Sequence, residues 1–89
     1  MFKRIRVSLK TSEDRITISY NDLNIPKGID VWGLATVSTV DGTRIPDGIQ
    51  VYGNSSSNVL TIRPYVVSNG VASSFVVQIQ LGIDILLFY

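Results

Sequence analysis

From Phe75 to Tyr89 an apolar side chain falls on every second position: Phe75, Val77, Ile79, Leu81, Ile83, Ile85, Leu87 and Tyr89. No helix presents such a pattern on one face, whereas a strand points successive side chains to opposite sides. The run predicts one long strand with a continuous apolar face. Its other face begins polar, with Gln78, Gln80, Gly82 and Asp84, and ends apolar, with Leu86 and Phe88. A strand that is apolar on both faces needs a cover on each. A chain of 89 residues has little left to supply the second, so the tail formed by Leu86, Leu87, Phe88 and Tyr89 is expected to lie in an interface with another subunit.

Size and composition point the same way. A domain this short buries only about 60–65 per cent of the surface its unfolded chain exposes. Hydrophobic residues make up 45% of the chain and the mean hydropathy is +0.27, more apolar than so small a surface-to-core ratio favours. Self-association hides the excess. There is no cysteine and no histidine, which removes disulfides, thiolate-bound metals, the commonest metal ligand and the commonest general base. No cofactor and no metal are expected. The opening Met1-Phe2-Lys3-Arg4-Ile5-Arg6 is charged where a signal peptide would be apolar, and no stretch approaches the roughly 18 apolar residues of a membrane span. A soluble chain without an export signal is expected, cytoplasmic unless it belongs to a virion.

The rest of the chain also reads as strand and turn. Asn69-Gly70 is a hairpin turn that places Pro64 opposite Phe75, Ile62 opposite Val77 and Leu60 opposite Ile79. Pro64 offers no N–H, so its strand is expected at an edge or bulge there. Asp41-Gly42 marks a second turn, and residues 53–58 form the most mobile loop by composition. Residues 2–20 can be drawn as a hairpin pairing Leu9 with Ile16, Val7 with Ile18 and Ile5 with Tyr20. This places every large apolar side chain on one face, although Lys10 then meets Arg15.

An internal repeat occupies the middle. Ile25-Pro26-Lys27-Gly28-Ile29-Asp30-Val31-Trp32-Gly33 returns twenty residues later as Ile45-Pro46-Asp47-Gly48-Ile49-Gln50-Val51-Tyr52-Gly53. Each copy reads as a tight turn followed by a short strand, and the two are expected at equivalent corners of one sheet. Residues 1–89 are therefore expected to form a single all-β domain, a small antiparallel sandwich or flattened barrel of about seven strands.

Few residues invite chemistry. The seven carboxylates sit mostly in turns and polar loops, where Asp and Glu have conformational reasons to be, and no nucleophile or phosphate-binding motif occurs. An enzyme is not expected. Trp32, Tyr52 and Tyr65 are ligand-binding candidates if exposed, for example stacking on a sugar in a carbohydrate-binding module, and packing residues if buried. Residues 1–15 carry five basic and two acidic side chains, a local +3 within a chain of net charge +1. Lys3, Arg4, Arg6 and Lys10 would serve a small nucleic-acid-binding barrel, or protect an edge strand against stray pairing.

The repeats Ile25-Pro26-Lys27-Gly28-Ile29 and Ile45-Pro46-Asp47-Gly48-Ile49, together with the tail Ile83 to Tyr89, resemble the small β-sandwich tip and knob domains of bacteriophage tail fibres and related virion proteins. That resemblance implies a homotrimeric structural or receptor-binding role, with other virion proteins or a host-surface receptor or glycan as partners. It brings no catalytic residue with it.

Overall fold

The computed structural model describes residues 1–89 and shows seven strands with no α-helix. They are β1 (Phe2–Lys10), β2 (Ile16–Ser19), β3 (Val31–Thr39), β4 (Gly48–Asn54), β5 (Val59–Ser68), β6 (Val71–Ser74) and β7 (Gln80–Phe88), with a 3-10 turn at Tyr20–Leu23 after β2. All pairings are antiparallel, and the strand order is β1-β7-β3-β4-β5-β2, with β6 on the edge of β5. The sheet curls into a nearly closed barrel. The all-β expectation and its strand number hold.

Alternation decides which residues line the barrel. Val7 and Leu9 of β1, Val51 of β4, Leu60 and Ile62 of β5, and Leu81, Ile83, Ile85 and Leu87 of β7 point inward. They form one cluster with Tyr20, Ile25, Val31, Phe75 and Val77. Tyr20 is wholly buried, and its hydroxyl donates to the Ile29 carbonyl at 2.8 Å, which satisfies the one polar group it brings inside. Burial raises its pKa.

Three expectations about the strands are corrected. β1 does not form a hairpin with β2; it runs beside β7 through nine residue pairs, Phe2 to Phe88 through Lys10 to Gln80. β2 instead pairs with β5, Ile16 facing Ile62. The inward residues are those expected, but the β7 partnership offers more than twice the ladder that a four-residue β2 could. It also sets Arg6 opposite Asp84 and removes the clash of Lys10 with Arg15. The Asn69-Gly70 hairpin forms, yet only Tyr65 to Ser68 pair with Val71 to Ser74, with a last contact from Phe75 N to the Pro64 carbonyl at 3.4 Å. Ile62 and Leu60 face Ile16 and Ile18, not Val77 and Ile79. Pro64 lies where the edge of β5 passes from β2 to β6, so its missing N–H falls between two ladders.

The third correction concerns the run from Phe75. It is two pieces: Phe75 and Val77 are buried in a crossing segment, Ile79 is exposed, and β7 begins at Gln80. The carboxylate of Asp41, itself buried, accepts the backbone N–H groups of Gln78 at 2.8 Å, Ile79 at 2.5 Å and Gln80 at 3.2 Å. This clasp turns the chain out of one strand direction and into the next. Val77 bonds to the β1–β2 loop, donating to the Glu13 carbonyl at 2.9 Å and accepting from Ser12 N at 2.8 Å. The crossing segment thereby plugs one end of the barrel.

The repeat is realised in its second half only. Gly28 has φ +81, as a tight turn requires, whereas Gly48 lies within β4, so the two proline corners differ. The Val-aromatic-Gly ends pair with each other: Val31 faces Gly53 and Trp32 faces Tyr52. The Asp41 turn bonds Asp41 O to Arg44 N at 3.0 Å and places Gly42 at φ +62, so its central residues are Gly42 and Thr43. The loop at residues 53–58 is stitched down, contrary to its composition. Asp30 accepts from Ser55 N, Asn54 accepts from Ser56, and Asn58 accepts from Gly28 N.

Candidate interaction face

The even-numbered residues of β1, β7, β3 and β4 point away from the core, and register aligns them in rows across the sheet. Phe2 faces Phe88, Phe88 faces Trp32, and Trp32 faces Tyr52. Four aromatic side chains thus stand side by side on four adjacent strands, a row about 14 Å long at the usual strand spacing. The next row is Arg4, Leu86 and Leu34, and the next Arg6, Asp84 and Thr36. Phe2 is 69% exposed, Trp32 61%, Leu34 67% and Tyr52 45%, while Leu86 and Phe88 are half-buried among them. A shallow open groove of about 700 Å³ runs along this face between Arg4, Arg6, Leu34, Thr36, Asp84 and Leu86.

This geometry sorts the sequence candidates. Trp32 and Tyr52 are exposed neighbours, not core. Tyr65 belongs to a different place: it faces Gly48 across the β4–β5 ladder and lines a smaller depression with Gln50, Arg63 and Ala72. Of the tail, Leu86 and Phe88 share the outer face. Leu87 is fully buried in the chain's own core and Tyr89 packs against it, so Leu87 is not interface surface. Phe2 and Leu34 were missed, because their exposure depends on β1 and β3 flanking β7, a fact of strand order that local pattern does not carry.

The four basic residues do not make one patch. Lys3 lies on the inward side of β1, where its ammonium donates to the Leu23 carbonyl. Arg6 pairs with Asp84 at 2.7 Å; the bond raises the arginine's pKa and lowers that of the carboxyl. Both side chains are exposed to solvent, Asp84 partly, and such a pair contributes little to stability. Lys10 stands at the far end of the strand, its backbone N–H held by Glu13 at 2.6 Å. Neither the Arg4 guanidinium nor the Lys10 ammonium makes a hydrogen bond or ion pair on the outer face.

The carboxylates are nearly all engaged in structure. Asp41 holds the crossing segment. Asp47 accepts from Val67 N at 2.6 Å, Asp30 from Ser55 N at 2.9 Å and Glu13 from Lys10 N. Asp84 and Asp14 face Arg6 and Arg15. No three of them gather into a group that could hold a metal ion, and no helix is long and apolar enough to cross a membrane. No protein family matches the chain, and no curated protein or solved structure is significantly similar to it.

Proposed function

We propose that this protein is a non-enzymatic binding and assembly module that associates with copies of itself through the outer face of β1, β7, β3 and β4. The observation that carries the proposal is the register-aligned row Phe2-Phe88-Trp32-Tyr52, with Leu34 and Leu86 beside it. Contiguous exposed apolar patches beyond roughly 300–600 Å² mark interaction surfaces. Trp and Tyr are the residues that most often dominate binding energy in such places. Six of the seven carboxylates have structural partners, so little is left for acid–base chemistry. The more particular reading is a homotrimeric attachment or decoration module of a virion; its support is the tail-fibre resemblance of the repeats, to which the face adds a means of assembly.

Gel filtration with light scattering tests the proposal. The chain is expected to run as a homo-oligomer at micromolar concentration, and Trp32→Ser with Leu34→Ser to weaken association by at least about thirtyfold, equivalent to roughly 2 kcal/mol. Both side chains are exposed, so the fold should survive. A monodisperse monomer for the unsubstituted chain would sink the proposal. Deleting Leu86 to Tyr89 is a poorer test, because it removes Leu87 from the core together with the end of β7.

One observation favours a second reading. Trp32 and Tyr52 side by side form a platform on which a sugar ring can stack. If the chain is monomeric yet its Trp32 fluorescence responds to soluble oligosaccharides, this reading replaces assembly.

A further inference from the structure

The barrel is not closed between β1 and β2. The two strands end the sheet order on opposite sides, and backbone alternation shows which groups each leaves free. Met1 and Tyr89 exchange both backbone bonds, at 2.8 and 3.0 Å, so the odd-numbered residues of β1 bond to β7. The N–H and C=O groups of Arg4, Arg6 and Ser8 point away from it. On the other lip, Tyr20 N donates to the Asn58 carbonyl at 2.9 Å. The even-numbered residues of β2 therefore bond to β5, and Thr17 and Ser19 point outward. The seam is bridged only at its ends: by Val77 against Ser12 and Glu13 at one, and by the Lys3 side chain reaching the Leu23 carbonyl at the other. A lysine side chain fills what a backbone ladder would span in about 4.8 Å.

Side chains along the seam are also incompletely covered. Ile5, Ile16, Ile18 and Leu23 pack against the core yet stay half-buried beside the open edge. Outside them the lips carry Arg4 and Arg6 on one side and Thr17 and Ser19 on the other. We infer that this seam accepts an extended segment of a partner protein, about five residues long, with apolar side chains alternating with acidic ones. Its backbone would pair with both lips, its apolar residues would cover the four half-buried side chains, and its carboxylates would meet Arg4 and Arg6. A second copy of β1 is a poor occupant, since it would set arginines against arginines.

The probe is a capped synthetic peptide alternating valine and glutamate over seven residues, titrated into the full chain and followed by amide and methyl NMR. Expected are shifts at Ile5, Ile16 and Ile18 and protection of the Arg4, Arg6, Thr17 and Ser19 amides. Affinity should fall at least tenfold for Arg4→Glu, for the lysine analogue of the peptide, and for a peptide N-methylated at alternate residues. That last probe keeps every side chain and loses one ladder. Equal binding of the N-methylated peptide, binding that maps to the aromatic row or to the stretch where β3 and β4 part beyond their two residue pairs, or no binding at all overturns the inference. So does concentration-dependent protection of the same amides without peptide, which would make a second copy the occupant. Monomeric behaviour in gel filtration leaves this result unaffected.

Discussion

Gly53→Ala, the addition of a single methyl group, is expected to destabilise the chain by about 3 kcal/mol or more, a third or more of the total for a domain of this size. A Cβ built at Gly53 would lie 2.7 Å from Cε1 of Tyr20 and closer still to its hydroxyl. Tyr20 cannot step aside: it is wholly buried, and its hydroxyl is held by the Ile29 carbonyl. Nor can Gly53 move without disturbing its pairings with Val31 on one side and Leu60 on the other. At the equivalent glycine of the repeat, Gly33, a Cβ would likewise crowd its surroundings, with the Val51 side chain at 2.8 Å and the Leu86 carbonyl oxygen at 3.0 Å. Urea unfolding checks the prediction through a double-mutant cycle with Tyr20→Leu. The steric account requires the two costs to be strongly non-additive, Gly53→Ala becoming much cheaper once the ring is gone. Costs that simply add would show that the glycine is needed for something other than the ring.

The same pair of residues shows what the sequence could and could not reveal. That Gly53 closes a turn-and-strand repeat and that Tyr20 lies on an apolar face were both legible in the sequence. That they touch was not, since it depends on β2 lying beside β5. Alternation fixes which face a residue takes and is indifferent to the neighbour that supplies the ladder. Hence Ile5, Val7, Leu9, Ile16 and Ile18 point inward as the paper hairpin required, although β1 and β2 never pair. The choice of β7 as partner for β1 is a long-range event. It is decided chiefly by nine residue pairs against four.

The exposed aromatic face followed a similar course. Leu86 and Phe88 were readable as an apolar face without a cover, because they break an otherwise polar alternation. Trp32 and Tyr52 stood out through the repeat, but their repeat position said nothing about burial. Exposure follows from Val31 and Val51 taking the inward positions beside them, and the row is completed by Phe2, a residue adjacent to Phe88 only because the two chain ends meet. The seam carried no local signal. An open lip is a statement about which strands are absent from an edge, and it became visible only once strand order was known.

The second large effect is expected at Asp41. Asp41→Asn should lower the thermal midpoint at neutral pH by on the order of 10 °C, because three N–H donors converge on the carboxylate and an amide offers one oxygen and a competing NH2. The Gln78 N–H, with those of Ile79 and Gln80 and the nearby Arg44, holds the carboxyl below its ordinary pKa against the opposing effect of burial. A carboxyl depressed in the folded state binds its proton more readily when unfolded. Its stabilising contribution is therefore complete above the unfolded value of about 3.9, and declines as pH falls from there through the folded value. Thermal melts between neutral pH and pH 2 should show an acid limb for the unsubstituted chain that is shallower in Asp41→Asn. Asp22→Asn, at an exposed position without a hydrogen-bond partner, should leave the limb unchanged. Since the carboxylate also fixes where the crossing segment turns, its loss should loosen Phe75 and Val77 together. Val77 would then release Ser12 and Glu13 at the closed end of the seam, so hydrogen exchange at the Ser12 and Val77 amides, the donors of those two bonds, and at Gln78 to Gln80 should accelerate before the rest of the barrel opens. Uniform acceleration across all strands would show that Asp41 supports global stability without acting as a local clasp.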